Sequence, residues 1–297
     1  PGFARSSFLL KNIDLYVGNY RAVPFTDVEN AIFKRFAQVF EQAYTRFLDL
    51  LKAEAQAKEA QIEVSLERVR ARTMAMHKSE ELLDAGSLLY HELLKFGISN
   101  LTSGYCLMEA DEKFGWNYIA NQIDGAVLPK PMGIPHNETD VMRSIAQSWK
   151  KQEPFHIIEL NEAETVIHQT FIAERTINFY MTAEELIART PKRLALQTFN
   201  FKQGYLLIVG AEPLLKEQVE MLVRFARVFE MTYQRFLDLQ KAEAQAREAQ
   251  IEASLERVRS RTMAMHNTDD ITATVTTFFN EIIGLGLGNS TRCGIGI

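Results

Sequence analysis

Cysteine is almost missing: the 297 residues hold two, Cys106 and Cys293, with no Cys-x-x-Cys or His/Cys ligand spacing around them. Neither a disulfide framework nor a structural zinc site is supported, and a reducing, cytoplasmic compartment fits. Long apolar runs are also lacking. The stretch around Tyr205 to Val209 falls far short of the roughly 18 to 20 residues that cross a bilayer, so no membrane contact is expected. Basic charge is not in excess: 33 Lys and Arg face 38 Asp and Glu, for a formal charge of −5. That balance argues against electrostatic capture of nucleic acid or of an anionic membrane face. The chain opens on Pro1 with no charged and apolar leader, and is expected to be an internal piece of something longer. The remaining composition, 46% hydrophobic and 24% charged with 8 Pro and 15 Gly, is that of a globular chain with room for about two domains.

What is present in abundance is repetition. Phe36 to His77 and Phe225 to His266 match at 34 of 42 positions with an offset of 189, and the likeness fades gradually on both sides. Pro24 faces Pro213, and the apolar pattern of Leu82 to Ile98 faces that of Ile271 to Leu287. The period is several times longer than the ~20 to 50 residues of a solenoid unit. It therefore describes domains strung on helices. The expected division is a module remnant over 1–24, a linker helix over 25–78, a complete domain over 79–235, a second linker helix over 236–268 and the start of a further module over 269–297.

Between Pro24 and Gly86, and again between Pro213 and Gly284, there is neither proline nor glycine, and Ala, Glu, Gln, Lys, Arg and Leu dominate. Each stretch is expected to be one long helix or nearly so, with Thr26 and Asp27 capping the first. About 60 residues at 1.5 Å per residue would reach roughly 90 Å, more than one small domain can bury. A seam follows coiled-coil spacing through Leu48, Ala55, Ile62, Leu66, Val69, Thr73 and Met76, with Ile251, Leu255, Val258 and Met265 in the second copy. The seam predicts a parallel homodimer. Its Ala-, Lys- and Glu-rich middle, KAEAQAKEAQ and KAEAQAREAQ, predicts a section stiffened by helix propensity rather than by packing.

From Lys78 to Arg235 the pattern reads helix, strands, helices, strands, helix. Helices are expected over Ser79 to Phe96, Thr139 to Lys150, Asn161 to Glu174 and Thr182 to Arg189, the last two capped by Asn161 and Thr182. Strands are expected over Tyr105 to Glu109, Trp116 to Ala120, Phe155 to Glu159, Leu194 to Phe199 and Gly204 to Ala211, with Asp124 to Pro135 a Gly- and Pro-rich loop. The class is α+β, an antiparallel sheet with helices on one side.

Three segments, LERVRARTMAMHKSEEL (Leu66 to Leu82), FNFKQGYLLIVGAEPL (Phe199 to Leu214) and RFARVFEMTYQRFLDLQKAEAQAREAQ (Arg224 to Gln250), resemble the GAF domains of bacterial sensor proteins. The resemblance is to tandem-GAF regions ahead of two-component kinases or related outputs, and it covers nearly the whole chain. It implies a sheet of five or six antiparallel strands, a pocket on one face and dimerisation through flanking helices.

Candidate chemistry is sparse. His91 opens HELLKF, similar to a histidine-kinase acceptor box, but Phe96 stands where that box has proline, Asn280 replaces the histidine in the second copy, and no glycine-rich nucleotide loop occurs. His77 and His266 close each linker, where capping or packing competes with a switching role. No bilin, haem or cyclic-nucleotide pattern is present, and Cys106 reads as a small buried hydrophobe. No catalytic constellation or metal set is found, and no cofactor is specified. The expected ligand pocket draws on Trp116, Tyr118, His136, Trp149, Phe155 and His156, although the same aromatics would also serve as core. The expected function is sensing and relay through dimeric helices by a non-enzymatic segment. The competing expectation is a structural stalk without a ligand.

Overall fold

The computed structural model describes residues 2–78, 81–98, 101–121, 130–267 and 270–287. The chain divides into two compact units at Arg68/Val69. In the first, strands β1 (Ala4–Leu9) and β2 (Asp14–Asn19) form an antiparallel hairpin ahead of helix α1 (Asp27–Met74), which runs across the division. Thr26 and Glu29 cap α1 reciprocally: the Glu29 carboxylate accepts the Thr26 N–H at 2.7 Å and Thr26 Oγ1 accepts the Glu29 N–H at 3.3 Å. This is a capping box. The hairpin turn is tied to the helix at Asn12, whose N–H donates to Glu41 and whose side-chain amide donates to Thr45, both at 2.9 Å.

The second unit contains α2 (Leu82–Lys95), β3 (Thr102–Met108), β4 (Phe114–Asn121), β5 (Met132–Pro135), α3 (Asp140–Lys150), β6 (His156–Leu160) and α4 (Glu162–Arg175). It continues with α5 (Ala183–Arg189), β7 (Leu194–Phe201), β8 (Gly204–Gly210), α6 (Lys216–Met263) and α7 (Asp270–Gly284). Its six strands form one antiparallel sheet in the order β5-β4-β3-β8-β7-β6. The hairpin-then-helix order of β7, β8 and α6 repeats that of β1, β2 and α1. The α+β class, the strand number and the flanking helices are those the GAF resemblance implies.

Helices cover both faces of this sheet, not one as expected from the sequence. Register pairs share a face, and Tyr105 pairs with Leu206 while Cys106 pairs with Tyr205, so successive residues of the central strands point to opposite layers. On one face Tyr105 stacks on Phe229 of α6 at 3.6 Å between ring centroids, and Phe201 meets the same ring at 5.1 Å. Helix α2 lies on that face too, so close to β4 that a Cβ at Gly86 would sit 2.6 Å from the Tyr118 carbonyl oxygen. A mid-helix glycine weakens a helix, but here it admits the close approach. On the other face α3, α4 and α5 bring Met142, Ile145 and Phe171 against Cys106, Leu194, Leu196, Tyr205 and Leu207.

Strand β5 was expected as part of a loop because Gly133 and Pro135 interrupt it; it lies at the sheet edge, where proline is tolerated. Residues 124–129 of that expected loop lie outside the described residues, as do Cys293 and the end of the expected further module.

Neither long helix is continuous to the next glycine. Helix α1 stops at Met74 and α2 begins at Leu82; α6 stops at Met263 and α7 begins at Asp270. The break has a cause in side chains. The Glu81 carboxylate accepts the N–H groups of His77 and Lys78 at 3.2 Å, and the Asp270 carboxylate accepts those of His266 and Asn267 at 2.9 and 3.3 Å. In each copy an acid at the start of the next helix satisfies the turn between the two helices, which propensity alone would not foresee. At 48 residues each, the long helices measure about 72 Å.

Along the expected seam, Ile62, Leu66, Val69, Thr73 and Met76 are buried within the single chain. Ile251, Val258 and Met265 are half-buried. Leu48, Ala55 and Leu255 are exposed. The Ala-rich middles are exposed throughout, residues 49–61 of α1 on every residue and 238–250 of α6 likewise. The two copies differ most where their sequences agree: Phe225, Val228, Phe229 and Phe236 are buried under the sheet, whereas Phe36, Val39, Phe40 and Phe47 are 67%, 65%, 59% and 52% exposed.

This contrast gives a direct test. Phe229→Ala is expected to destabilise the six-stranded unit by about 3–5 kcal/mol, the range for emptying a buried phenylalanine site, and Phe40→Ala to leave it unchanged. Urea unfolding followed by fluorescence of Trp116 and Trp149, both in that unit, reads the difference.

Candidate functional site

Between the sheet and the α3–α5 layer lies a cavity of about 130 Å³. Three capped helices build its roof. Thr139 Oγ1 accepts the Met142 N–H at 3.2 Å and starts α3, which turns Met142 and Ile145 inward. A capping box between Asn161 and Glu164 starts α4, placing His168, Gln169 and Ile172 on one face. A second box between Thr182 and Glu185 starts α5, whose Leu186 and Arg189 complete the wall. The floor comes from alternate residues of the sheet: Asn117 and Ile119 of β4, Met132 and Ile134 of β5, Leu194 and Leu196 of β7, and Tyr205, Leu207 and Val209 of β8. The lining is mainly apolar with a few polar groups, the usual composition of a small-molecule site.

Two of those polar groups each bury an atom without a hydrogen-bond partner. Asn117 is 1% exposed; its amide nitrogen reaches the Met132 carbonyl at 3.5 Å and its Oδ1 has nothing to accept from. His168 is 7% exposed, its Nδ1 is unpartnered, and burial pushes its pKa down to about 4. It is therefore neutral at physiological pH, held so by desolvation.

Beneath the cavity runs a satisfied polar chain. His136 Nδ1 lies 2.9 Å from the Ile134 carbonyl and Nε2 lies 2.7 Å from the Tyr205 hydroxyl. A carbonyl only accepts, so Nδ1 carries the proton, Nε2 is the acceptor, and the Tyr205 hydroxyl donates to it. Burial lowers the His136 pKa to about 4. Burial raises the Cys106 thiol to about 12 and raises Tyr205 well above the ordinary phenol range. Cys106 is thus an inert thiol. Gly115 accommodates this chain: a Cβ there would fall 2.7 Å from both Cys106 Sγ and His136 Cε1.

The six residues expected to line a pocket are not gathered around this cavity. His136 comes nearest, one hydrogen bond away through Tyr205. Tyr118 pairs in register with Tyr105 and so belongs to the face covered by α2 and α6. Trp116 alternates onto that face too, with its indole N–H donating to Glu109 at 2.7 Å. Phe155 packs on Phe199 at 5.1 Å, Trp149 donates to the Phe201 carbonyl at 3.0 Å, and His156 Nε2 lies 3.0 Å from Ser144 Oγ. They serve as core and as joints between elements. Sequence reading missed Asn117, His168 and Arg189. Strand alternation could have separated Asn117 from Trp116 and Tyr118, and the α4 cap fixes the phase that turns His168 inward.

The other histidines singled out are at junctions. His91 Nδ1 lies 2.7 Å from the Ser87 carbonyl on exposed α2 surface. His77 and His266 contribute backbone N–H groups to the two carboxylate-capped turns. Among the described residues no three His, Cys, Asp or Glu side chains are grouped to hold a metal, and no helix is long and apolar enough to cross a membrane.

No protein-family model matches the chain, and no curated protein matches it. Among solved structures it is similar to the crystal structure of bacteriophytochrome RpBphP3 from the photosynthetic bacterium R. palustris, at 12% identity and a TM-score of 0.41. The match covers 77% of this chain and 47% of that one, so the chain spans less than half the length of the bacteriophytochrome. A likeness this distant assigns no function.

Two predictions follow from the buried polar groups. Both imidazoles have folded pKa values near 4 against an ordinary value of 6.5, so between those values the unfolded chain binds more protons. Stability is then complete above about pH 6.5 and falls as pH drops, by roughly 2 kcal/mol per imidazole at pH 5. Urea midpoints taken from pH 7.5 to 5 should show this loss, and His168→Gln should about halve it. Gly115→Ala should cost about 1–3 kcal/mol by crowding Cys106 and His136, read in the same unfolding assay.

Proposed function

We propose that this chain is a sensing and relay segment: a small molecule entering the cavity biases the sheet, and α6 carries that bias away from the module as part of a parallel homodimer. The observation that carries the reading is the double role of the central strands. β8 presents Tyr205 and Leu207 to the cavity and Leu206 to the opposite face, and β3, paired with it, presents the Tyr105 ring on which Phe229 of α6 sits. A displacement of β8 by an occupant is a displacement of the α6 seat, because close-packed layers shift as units. The tandem GAF resemblance supports a sensor of two-component type, and the lining among the described residues, which groups no nucleophile with an acid–base pair, supports a non-enzymatic role. Against a purely structural stalk stands the cavity with its two unpartnered buried polar atoms, which a spacer has no use for.

Hydrogen exchange on the full chain tests the relay, with toluene as an apolar probe of the cavity. Sensing and relay predict slowed exchange in β7 and β8 together with a change of at least twofold at residues 221–236 of α6. Protection confined to the strands would favour the stalk. Sedimentation at tens of micromolar tests the dimer: a mass of two chains is expected, and a monomer there removes the coiled-coil conduit.

A further inference from the structure

We infer that the cavity takes a compact carboxylic acid, one ring or a short branched chain in size, bearing a hydrogen-bond donor on its apolar part. This rests on the sensory reading above and names the ligand class of that same site. Size comes first. At about 130 Å³ the cavity is close to an apolar cavity of about 150 Å³ that admits benzene, so a single ring fits and a nucleotide or tetrapyrrole does not.

Polarity then sets the two ends. At the sheet, Asn117 is buried with its amide nitrogen directed to the Met132 carbonyl, which leaves Oδ1 as an acceptor with no donor. Leaving a buried acceptor unpaired is costly, and a ligand hydroxyl or amine N–H would relieve it. His168, with Nδ1 unpartnered, can receive or donate according to its tautomer and so tolerates a hydroxyl nearby.

Arg189 also lines the cavity while being exposed, so the wall reaches the surface at the end of α5. Its guanidinium makes no ion pair among the described residues. It acts electrostatically on Glu185, one turn earlier, but that carboxylate is occupied by the Thr182 N–H at 3.0 Å and the Thr182 hydroxyl at 3.2 Å. Among the described residues no aspartate or glutamate lines the cavity. An anion at this end gains a charge-assisted hydrogen bond, which arginine offers to carboxylates in a planar fork. A cation meets repulsion with no compensating group.

Calorimetric titration of the full chain with 3- and 4-hydroxybenzoate, benzoate, phenol and benzylamine tests the assignment. One of the hydroxybenzoates should bind about tenfold tighter than benzoate or phenol, and benzylamine at least tenfold weaker than benzoate. Arg189→Gln, at an exposed position, should weaken the acids about tenfold and leave phenol unchanged. Asn117→Leu should abolish the advantage of the hydroxyl while sparing benzoate. Benzylamine matching benzoate, or acids indifferent to Arg189→Gln, overturns the acid class while phenol binding preserves the sensory reading. Failure of all five probes overturns both.

Discussion

The second unit depends on one contact, the stacking of Tyr105 on Phe229. It joins the middle of the sheet to the middle of the buried part of α6, and the rings of Phe201, Tyr233 and Phe236 continue from it along the helix. Aromatic rings bury large areas and hold preferred geometries, so the helix has a defined rotation on the sheet. Through Tyr105 the helix sits on β3, which pairs with β8, a strand that lines the cavity on the far face. Tyr105 carries its hydroxyl into this apolar layer without a partner, and burial raises its pKa above the ordinary phenol range.

The two faces of the sheet have been given different chemistry. The α6 face is mainly aromatic and aliphatic, with Ser103, Gln197 and the Tyr105 hydroxyl as its buried polar groups. The cavity face mixes aliphatic side chains with imidazole, amide, phenol and thiol groups, every titratable one of which burial keeps uncharged at neutral pH. Where those groups are paired, as in His136 and Tyr205, they brace the floor. Where they are not, as in Asn117 and His168, they leave directional demands that water or a ligand must meet.

Much of this was legible from residues alone. The repeat located the module, the glycine- and proline-free stretches located α1 and α6, and Thr139, Asn161 and Thr182 marked the starts of three helices. Elements governed by local chemistry were therefore readable. The cavity was not, because it depends on which of two alternating faces each strand residue takes, and aromatic size drew attention to Trp116, Tyr118 and Phe155 on the wrong side or edge. β5 escaped because an edge strand tolerates the glycine and proline that mark a loop. The breaks after Met74 and Met263 escaped for a different reason: no proline or glycine marks them, and each turn is made by a carboxylate, Glu81 or Asp270, that accepts the N–H groups of the preceding turn.

The uneven burial of α6 has a mechanical consequence. Residues up to Phe236 are clamped in the module, while residues 237–263 project beyond it, with α7 attached near the end through the paired Arg257 and Glu281 at 2.7 and 2.6 Å. From Phe229 to Met263 the helix runs about 51 Å. A tilt of about 2° at the clamp therefore swings the tip by about 2 Å, roughly a third of a helical turn. The same tilt would move the clamped residues by only a fraction of an ångström, so the length of the rod by itself would enlarge at the tip a motion its own core can tolerate.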